Sequence, residues 1–221
     1  LSDALSGMPR GEIDYDIGTD VRMNSVEAEP RYVEEAMNVT QGKLSIGFRL
    51  GEAMEEPDMA ALSVFNAVYG GGTASKLFVN VRERLQLCYY ANSAIDLHKG
   101  IMLVSSGIEF DKFDQAKAEI LAQLDEIRKG NITDKELNAA KAGIASMLRS
   151  GMDSQGELEG FCLSQALAGL DYGPLELAEL VENVTKDDVQ DIARGIECDL
   201  VYFLTGSGED SDEEDENDAE N

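Results

Sequence analysis

The chain has 221 residues, 43% of them hydrophobic, which is long enough and apolar enough to bury one sizeable core. Its formal charge of −26 argues against nucleic acid and anionic membranes as partners, because an acidic surface repels phosphate groups. This acidity is typical of a highly soluble protein, with attraction of a basic partner as the alternative. No apolar run reaches the roughly 18 to 20 residues that a bilayer-spanning helix needs, so we expect no membrane association.

The three cysteines, Cys88, Cys162 and Cys198, are far apart and lack a C-x-x-C spacing. This usage argues against a disulfide framework or a zinc knuckle, and it predicts buried, reduced thiols in a cytoplasmic setting. His98 is the single histidine, so the chain lacks the histidine pair on which zinc-protease helices depend. We therefore expect no metal, no cofactor and no catalytic residue in this chain.

Residues 1–30 are polar and contain several glycines and prolines, which predicts a connector from a preceding domain with one short strand near 13–17. Because the chain begins at Leu1 and has no signal sequence, we expect it to be a piece of a longer protein. Residues 31–37 fit either a short helix or an extended lead-in. Alternation of apolar and polar residues over 44–50 then predicts a half-buried strand.

A helix is predicted to precede three consecutive glycines at 70–72. Acids and a proline at 55–58 favour a helix start, and apolar residues recur at helical spacing over 61–69. Glycine commonly ends a helix by adopting the left-handed conformation. We therefore expect the helix to end at Gly70 in that conformation.

A second helix is predicted directly after the glycines, with either Thr73 or Ser75 as its cap. It carries Arg82 toward the next strand, and Tyr89 lies near the start of that strand. Its expected inner face consists of Leu77, Phe78, Val81 and Leu85.

The rest of the chain is predicted to hold a hairpin, several helices and a closing strand. The hairpin strands are expected over 87–97 and 101–108, and the closing strand over 199–205. A capping box of Thr133 and Glu136 opens the second of the long helices. The helices are expected at 112–129, 133–149 and 154–170, with short ones from Pro174 and Thr185.

This order of elements does not alternate regularly enough for a doubly wound parallel sheet. It predicts one α+β domain over residues 31–206, with helices packed on a mainly antiparallel sheet. Residues 207–221 contain nine acids and no base, and we expect them to form a disordered acidic tail.

The glycines and the following helix suggest two kinds of chemistry. A glycine loop before a helix can cradle phosphate, but the spacing over 70–76 matches neither the P-loop nor the dinucleotide pattern, which argues against a nucleotide. Arg82 and Tyr89 could instead converge on one groove and donate hydrogen bonds to peptide carbonyls. The structural alternative is that Arg82 pairs with an acid and Tyr89 packs in the core.

The stretch also carries a family resemblance. It reads Gly70-Gly71-Gly72-x-x-Ser75-x-Leu77-Phe78-x-x-Val81-Arg82-Glu83-x-x-x-Leu87-x-Tyr89. This pattern resembles the C-terminal half of the insulinase-like M16 zinc peptidases, the family of pitrilysin and the mitochondrial processing peptidase. The similarity extends more loosely over most of residues 35–206. Gln86 and Cys88 depart from it, because they stand where the family often has glycine and alanine.

The resemblance implies a clamshell of two halves that share the LuxS/M16 metallopeptidase-like fold. In such a clamshell the N-terminal half carries zinc on an H-x-x-E-H motif, and the metal-free C-terminal half encloses the peptide substrate. The resemblance also implies that Arg82 and Tyr89, seven residues apart, bind substrate near the scissile carbonyl.

Three functions follow as hypotheses. The leading one is the C-terminal half of an active M16 zinc metalloendopeptidase, whose partners are its N-terminal half and a peptide. The second is a catalytically silent M16 homologue that acts as a scaffold or holds substrate for a zinc-bearing paralogue. The third is a stand-alone binding or dimerisation domain, which would form a homo-oligomer.

Overall fold

The computed structural model describes residue 7, residues 29–51 and residues 58–207. Within them the sheet runs in the spatial order β1-β5-β2-β4-β3, with β1 and β5 parallel and the other neighbours antiparallel. This sheet confirms the predicted α+β class. Its strands are β1 (Arg31–Met37), β2 (Gly42–Arg49), β3 (Tyr90–Asp96), β4 (Ile101–Ile108) and β5 (Glu197–Gly206).

Helices pack on this sheet and lie close to the predicted ranges. A π-helix (Leu77–Arg84) follows the first α-helix, and a 3₁₀ turn (Phe110–Lys112) precedes the second. The α-helices are α1 (Met59–Tyr69), α2 (Phe113–Arg128), α3 (Asp134–Gly151), α4 (Gln155–Ala168), α5 (Pro174–Asn183) and α6 (Lys186–Arg194).

The core lies between the sheet and these helices. The central strand β2 buries every second side chain, as its alternating sequence predicted. The buried side chains of β2 join those of α1, the π-helix and α2 in one cluster, which includes Ile46, Phe48, Phe65, Val81 and Ile120. Burial of this cluster fixes the π-helix against the sheet.

Some expectations need correction and others fall outside the described residues. Of the two alternatives for residues 31–37 the extended one is correct, because they form an exposed edge strand that pairs in parallel with β5. Cys162 is exposed rather than buried, since α4 turns it to solvent, whereas Cys88 and Cys198 are half-buried. The predicted strand near 13–17, most of the connector, the two acids and the proline at 55–57 and the acidic tail after residue 207 lie outside the described residues.

Gly70 ends α1 as predicted, but not in the predicted conformation. Its φ is −148°, so the expectation of a left-handed glycine is wrong. The glycine is needed instead because β3 comes close: the Ser93 N–H donates to the Gly70 carbonyl oxygen at 3.1 Å. A Cβ at position 70 would lie 2.7 Å from the backbone nitrogen of Ser93 and 2.8 Å from Leu77 Cδ1.

Gly70→Ala is therefore expected to lower the free energy of unfolding by about 1–3 kcal/mol, because backbone atoms must shift to accept the methyl group. Urea unfolding of the 221-residue chain measures the loss. Gly72→Ala is the matched control, since a Cβ there meets no atom within 4 Å. Equal stabilities of the two variants would show that the close approach to β3 does not constrain position 70.

Candidate functional site

The π-helix positions the residues that the sequence singled out. Its turns are wider than α-helical ones, as the Leu85 N–H donates to the Asn80 carbonyl oxygen five residues back at 3.1 Å. The Ser75 hydroxyl accepts from the Phe78 N–H at 3.3 Å, so Ser75 rather than Thr73 is the cap. Segments of π-helix occur often at functional sites.

The inner face of this helix is only partly as predicted. Leu77 and Val81 are fully buried, but Leu85 is 42% exposed, so its assignment to the inner face is wrong. The chain turns after Leu85, and Leu87, 8% exposed, is buried in the core in its place. The turn lies at Gln86, whose φ of 51° is left-handed.

Gln86 occupies a backbone conformation that favours glycine. In the family that the sequence resembles, glycine often stands at this position. The left-handed conformation destabilises the folded state of a residue with a side chain by roughly 1–2 kcal/mol. Glycine avoids this strain, but its greater freedom in the unfolded chain offsets part of the gain. Gln86→Gly is therefore expected to raise the free energy of unfolding by about 0.5–1 kcal/mol. Thermal and urea unfolding check this. A less stable variant would mean that contacts of the Gln86 side chain outweigh the strain.

Arg82 and Tyr89 line one cavity of about 360 Å³, here called the Arg82 cavity. Tyr89 is 56% exposed, so it does not pack in the core. The Arg82 side chain is 40% exposed, and its guanidinium lies 4.7 Å from the centre of the Phe78 ring and 3.5 Å from Glu83 Oε1. The cavity is lined by Arg82, Glu83, Gln86, Leu87, Cys88, Tyr89, Glu109 and Lys112.

The Arg82 cavity offers hydrogen-bond donors rather than a nucleophile. Lys112 is held over it by Glu109 at 3.1 Å and by the Gln86 carbonyl oxygen at 3.3 Å. Burial raises the pKa of the Cys88 thiol, although a hydrogen bond with Ser106 and the charge of Arg82 act in the opposite direction. Cys88 therefore stays protonated at neutral pH, and a protonated thiol is a weak nucleophile.

Arg82 also borders a second cavity of about 300 Å³, here called the loop cavity. Its walls are the glycine loop 70–73, Phe78 and the first residues of edge strand β3. The start of the loop is held against β3 because the Ser93 N–H donates to the Gly70 carbonyl oxygen at 3.1 Å, and the Ser93 hydroxyl also ties β3 to α1 by donating to Asn66 Oδ1 at 2.7 Å. The glycines therefore shape a wall of the site beside Arg82.

Lys76 is a structural residue of the site that the sequence analysis missed. Its side chain is 7% exposed, and its ammonium group donates to Glu136 Oε1 at 2.8 Å. The other carboxylate oxygen of Glu136 accepts from the N–H and hydroxyl of Thr133, at 2.8 and 2.7 Å. The predicted capping box thus also anchors the start of the π-helix to α3. The only indication of this ion pair in the sequence was a lysine next to the buried face of the predicted helix.

This pair shifts the titration of Glu136. Burial alone would raise the pKa of its carboxyl, but the hydrogen bonds from Lys76 and Thr133 outweigh burial and hold the pKa below its ordinary value of 4.5. A depressed carboxyl pKa stabilises the fold above the unfolded-state pKa, and this contribution disappears as the pH falls through the folded-state pKa.

The stability difference between the wild type and Glu136→Gln should accordingly be greatest near neutral pH and shrink as the pH falls below 4.5. Glutamine preserves the capping box and removes only the charge. Urea unfolding at a series of pH values measures the difference. In a Lys76→Met background the pH dependence should be much weaker, and an undiminished dependence would assign it to Thr133 rather than to Lys76.

Neither a metal centre nor a membrane span is found in the described part of the chain. There, no group of three or more His, Cys, Asp or Glu side chains is arranged to hold a metal ion. No helix within residues 58–207 is long and apolar enough to cross a membrane.

Comparison with known proteins identifies the family. The family described as the peptidase M16 inactive domain matches residues 12–144. The chain belongs to the M16 family. Within that family the match is to the domain described as inactive, in agreement with the resemblance found in residues 70–89.

Relatives of this M16 domain include a protein described as a probable inactive metalloprotease and proteins described as zinc proteases. A "probable inactive metalloprotease", YmfF of Bacillus subtilis, is 36% identical over 181 residues, which cover 82% of this chain and 42% of the relative. An uncharacterized zinc protease of Mycobacterium bovis is 28% identical over 76% of this chain and 39% of its own length. The M16 domain thus spans about two fifths of each of these relatives.

Solved structures show the same fold. A conserved protein from Enterococcus faecalis superimposes with a TM-score of 0.78 and 30% identity, covering 85% of this chain and 44% of that one. A peptidase M16 inactive domain from Pseudomonas fluorescens superimposes with a TM-score of 0.65 and 20% identity, over 80% of this chain and 43% of that one.

Proposed function

We propose that this chain is the non-catalytic C-terminal half of an M16-type zinc peptidase. In this role it encloses an extended peptide and contacts it near the scissile bond through Arg82 and Tyr89. The observation that carries the proposal is that both side chains are exposed in one cavity, as two donors for a peptide carbonyl must be.

The chemistry of the two side chains suits this role. A phenol O–H and a guanidinium stabilise an oxygen most when negative charge develops on it, so they favour the tetrahedral transition state over the substrate. Phe78 stacks beneath the Arg82 guanidinium and limits its movement. Zinc, expected in the other half, would polarise the carbonyl and activate water. Arg82 and Tyr89 would orient the peptide.

A silent M16 homologue is the second candidate, and the relative described as a probable inactive metalloprotease favours it. Such a protein would hold peptide, or a zinc-bearing paralogue, without cleaving the peptide itself. The same cavity would then serve binding rather than transition-state stabilisation.

One experiment separates the two candidates. The full-length gene product is purified, its zinc content is measured and it is assayed with an extended, fluorescence-quenched peptide before and after chelation by 1,10-phenanthroline. Bound zinc with chelator-sensitive cleavage supports the peptidase. Peptide binding without zinc and without cleavage supports the silent homologue, and a protein that does neither contradicts both. The 221-residue chain alone should bind no zinc and cleave nothing.

A further inference from the structure

The π-helix that carries Arg82 ends in a turn that needs support. Leu85 is its C-terminal cap, and Gln86 follows in the left-handed conformation, with a φ of 51°. Helices commonly end in this conformation, but the left-handed residue is usually glycine, because a side chain strains the backbone there. Among the described residues, Gln86 is the only one other than glycine with a positive φ. The turn therefore depends on contacts that offset this strain.

One supporting contact lies within the turn itself. The Leu87 N–H donates to the Val81 carbonyl oxygen at 3.0 Å, and the Leu87 side chain is buried in the core. Helix ends are commonly closed in this way, by a hydrogen bond and an apolar contact from the residue after the left-handed one. The last carbonyl groups of a helix still need partners from elsewhere, because they have none within it.

The second contact comes from Lys112, which lies 26 residues after Gln86 in the sequence. Its ammonium group donates to the Gln86 carbonyl oxygen at 3.3 Å and lies 3.1 Å from Glu109 Oε2. A lysine near a helix C-terminus binds the carbonyl oxygens there and is attracted to the negative end of the helix dipole. Lys112 supplies this cap from the 3₁₀ turn before α2, and it also lines the Arg82 cavity.

The end of strand β4 holds both Lys112 and Tyr89. β4 ends at Ile108, and Glu109 and the 3₁₀ turn follow directly. The Lys112 N–H donates to the Glu109 carbonyl oxygen at 3.1 Å, which fixes the base of the lysine side chain. Gly107 of β4 accepts from the Tyr89 N–H at 2.8 Å. The cap therefore joins the end of the π-helix to the strand that anchors Tyr89.

We propose that Lys112 is a positioning residue for Arg82 and Tyr89. It caps the π-helix from outside, keeps Gln86 in the left-handed conformation and thereby sets the direction in which the chain leads to Tyr89. Only two residues separate Gln86 from Tyr89, so opening of the turn moves the phenol relative to Arg82. The proposal rests on the proposed function for what Tyr89 does to a peptide, but the cap itself does not depend on that function.

Amide hydrogen exchange of the 221-residue chain, followed by NMR, tests the cap without a peptide. Lys112→Met keeps the length of the side chain and removes the ammonium group. We expect the Leu87 and Tyr89 N–H groups to exchange about tenfold faster, because the turn loses one hydrogen bond to a charged group. The Leu50 N–H, which donates to the Gly100 carbonyl oxygen at the other end of the sheet, should exchange at the wild-type rate.

Three further variants separate the cap from other roles of Lys112. Lys112→Arg can still donate to the Gln86 carbonyl oxygen, so both exchange rates should stay within about threefold of the wild type. Gln86→Gly/Lys112→Met should return them to within about threefold of the wild type, because glycine removes the strain that the lysine offsets. Lys117→Met is the matched control. Lys117 is 31% exposed against 32% for Lys112, but it pairs with Asp114, so neither rate should change.

In the full-length protein the same variants should change kcat rather than KM. Lys112→Met is expected to lower kcat about tenfold, because misplacing a donor by about 1 Å can cost up to roughly 100-fold in rate. KM should stay within about twofold, since the cap acts through Tyr89 rather than on the bound peptide. Adding Gln86→Gly to Lys112→Met should recover most of the loss. A contact between Lys112 and the peptide would instead raise KM, and glycine at position 86 would not compensate for its removal.

The outcomes distinguish the cap from the proposed function. Unchanged exchange of the Leu87 and Tyr89 N–H groups in Lys112→Met overturns the cap, whatever the activity. A loss that Gln86→Gly does not rescue overturns the positioning role as well. If the exchange rates change as expected and glycine restores them, but Tyr89→Phe leaves kcat/KM unaltered, the cap stands and the proposed role of Tyr89 fails.

Discussion

Replacing Tyr89 with phenylalanine in the full-length protein is expected to lower kcat/KM for peptide cleavage by about 100-fold, with most of the loss in kcat. The substitution removes one hydroxyl and keeps the ring, so it deletes a donor without reshaping the Arg82 cavity. Arg82→Ala should reduce kcat/KM at least as much, because it removes both a charge and a fork of donors. Steady-state kinetics with one fluorogenic peptide measure both effects.

Matched controls keep this prediction specific. Tyr202 and Arg194 are a tyrosine and an arginine far along the chain, whose polar groups bind Glu35 and Asp191 instead of lining the Arg82 cavity. Tyr202→Phe and Arg194→Ala should leave kcat/KM within about twofold, as surface substitutions away from a site usually do. If Tyr89→Phe behaved like Tyr202→Phe, the transition-state role of Tyr89 would be wrong. If KM rose and kcat did not change, Tyr89 would bind the substrate and the transition state equally well.

Replacing Lys76 with methionine is expected to lower the free energy of unfolding by about 3 kcal/mol, the lower end of what breaking a buried ion pair costs. Methionine keeps the length and packing of the lysine stem, so the loss reports the charge. The substitution leaves the Glu136 carboxylate partly buried and removes the ammonium group that lies 2.8 Å from it. Thr133 still donates to the other carboxylate oxygen, which limits the loss.

The double variant Lys76→Met/Glu136→Gln isolates this ion pair. Once both charges are absent, no uncompensated charge is left, so the double variant should be more stable than Lys76→Met alone. Chemical denaturation of the four proteins completes the cycle. Strictly additive losses would mean that Lys76 and Glu136 contribute independently, contrary to their geometry. Lys129→Met, whose ammonium group is exposed and pairs with Glu126, should cost less than about 1 kcal/mol.

Much of the fold could be predicted because its signals are local. The alternation over 44–50 and the apolar residues at helical spacing over 112–129 predict which side of each element faces the core. This prediction does not depend on which residues pack against that side. The capping box of Thr133 and Glu136 is likewise complete within four residues. The sequence left alternatives open where a distant residue decided the outcome. Residues 31–37 could be a helix or an extended segment, and they form a strand because β5, from the far end of the chain, pairs with them.

The candidate site divides in the same way. The glycines, Arg82 and Tyr89 could be picked out because their spacing forms a pattern, and the family match agrees with that pattern. A groove shared by Arg82 and Tyr89 could be suggested, but its other walls could not be foreseen. Lys112 enters it from the 3₁₀ turn before α2, and Glu109 enters it from the position directly after β4. No spacing rule links these residues to positions 70–89, because the links are contacts across the fold.

Periodicity, caps and motif spacing are properties of neighbouring residues, so the helices and strands of the core, the end of α1 at Gly70 and membership of the M16 family could all be inferred from the sequence. Contacts across the fold were needed to explain why position 70 must be glycine, which carboxylate Lys76 binds and which side chains share a cavity. Each of these depends on an approach of a few ångströms between segments that are distant in the sequence, such as Gly70 and Ser93 or Lys76 and Glu136. Packing of the whole domain fixes these approaches.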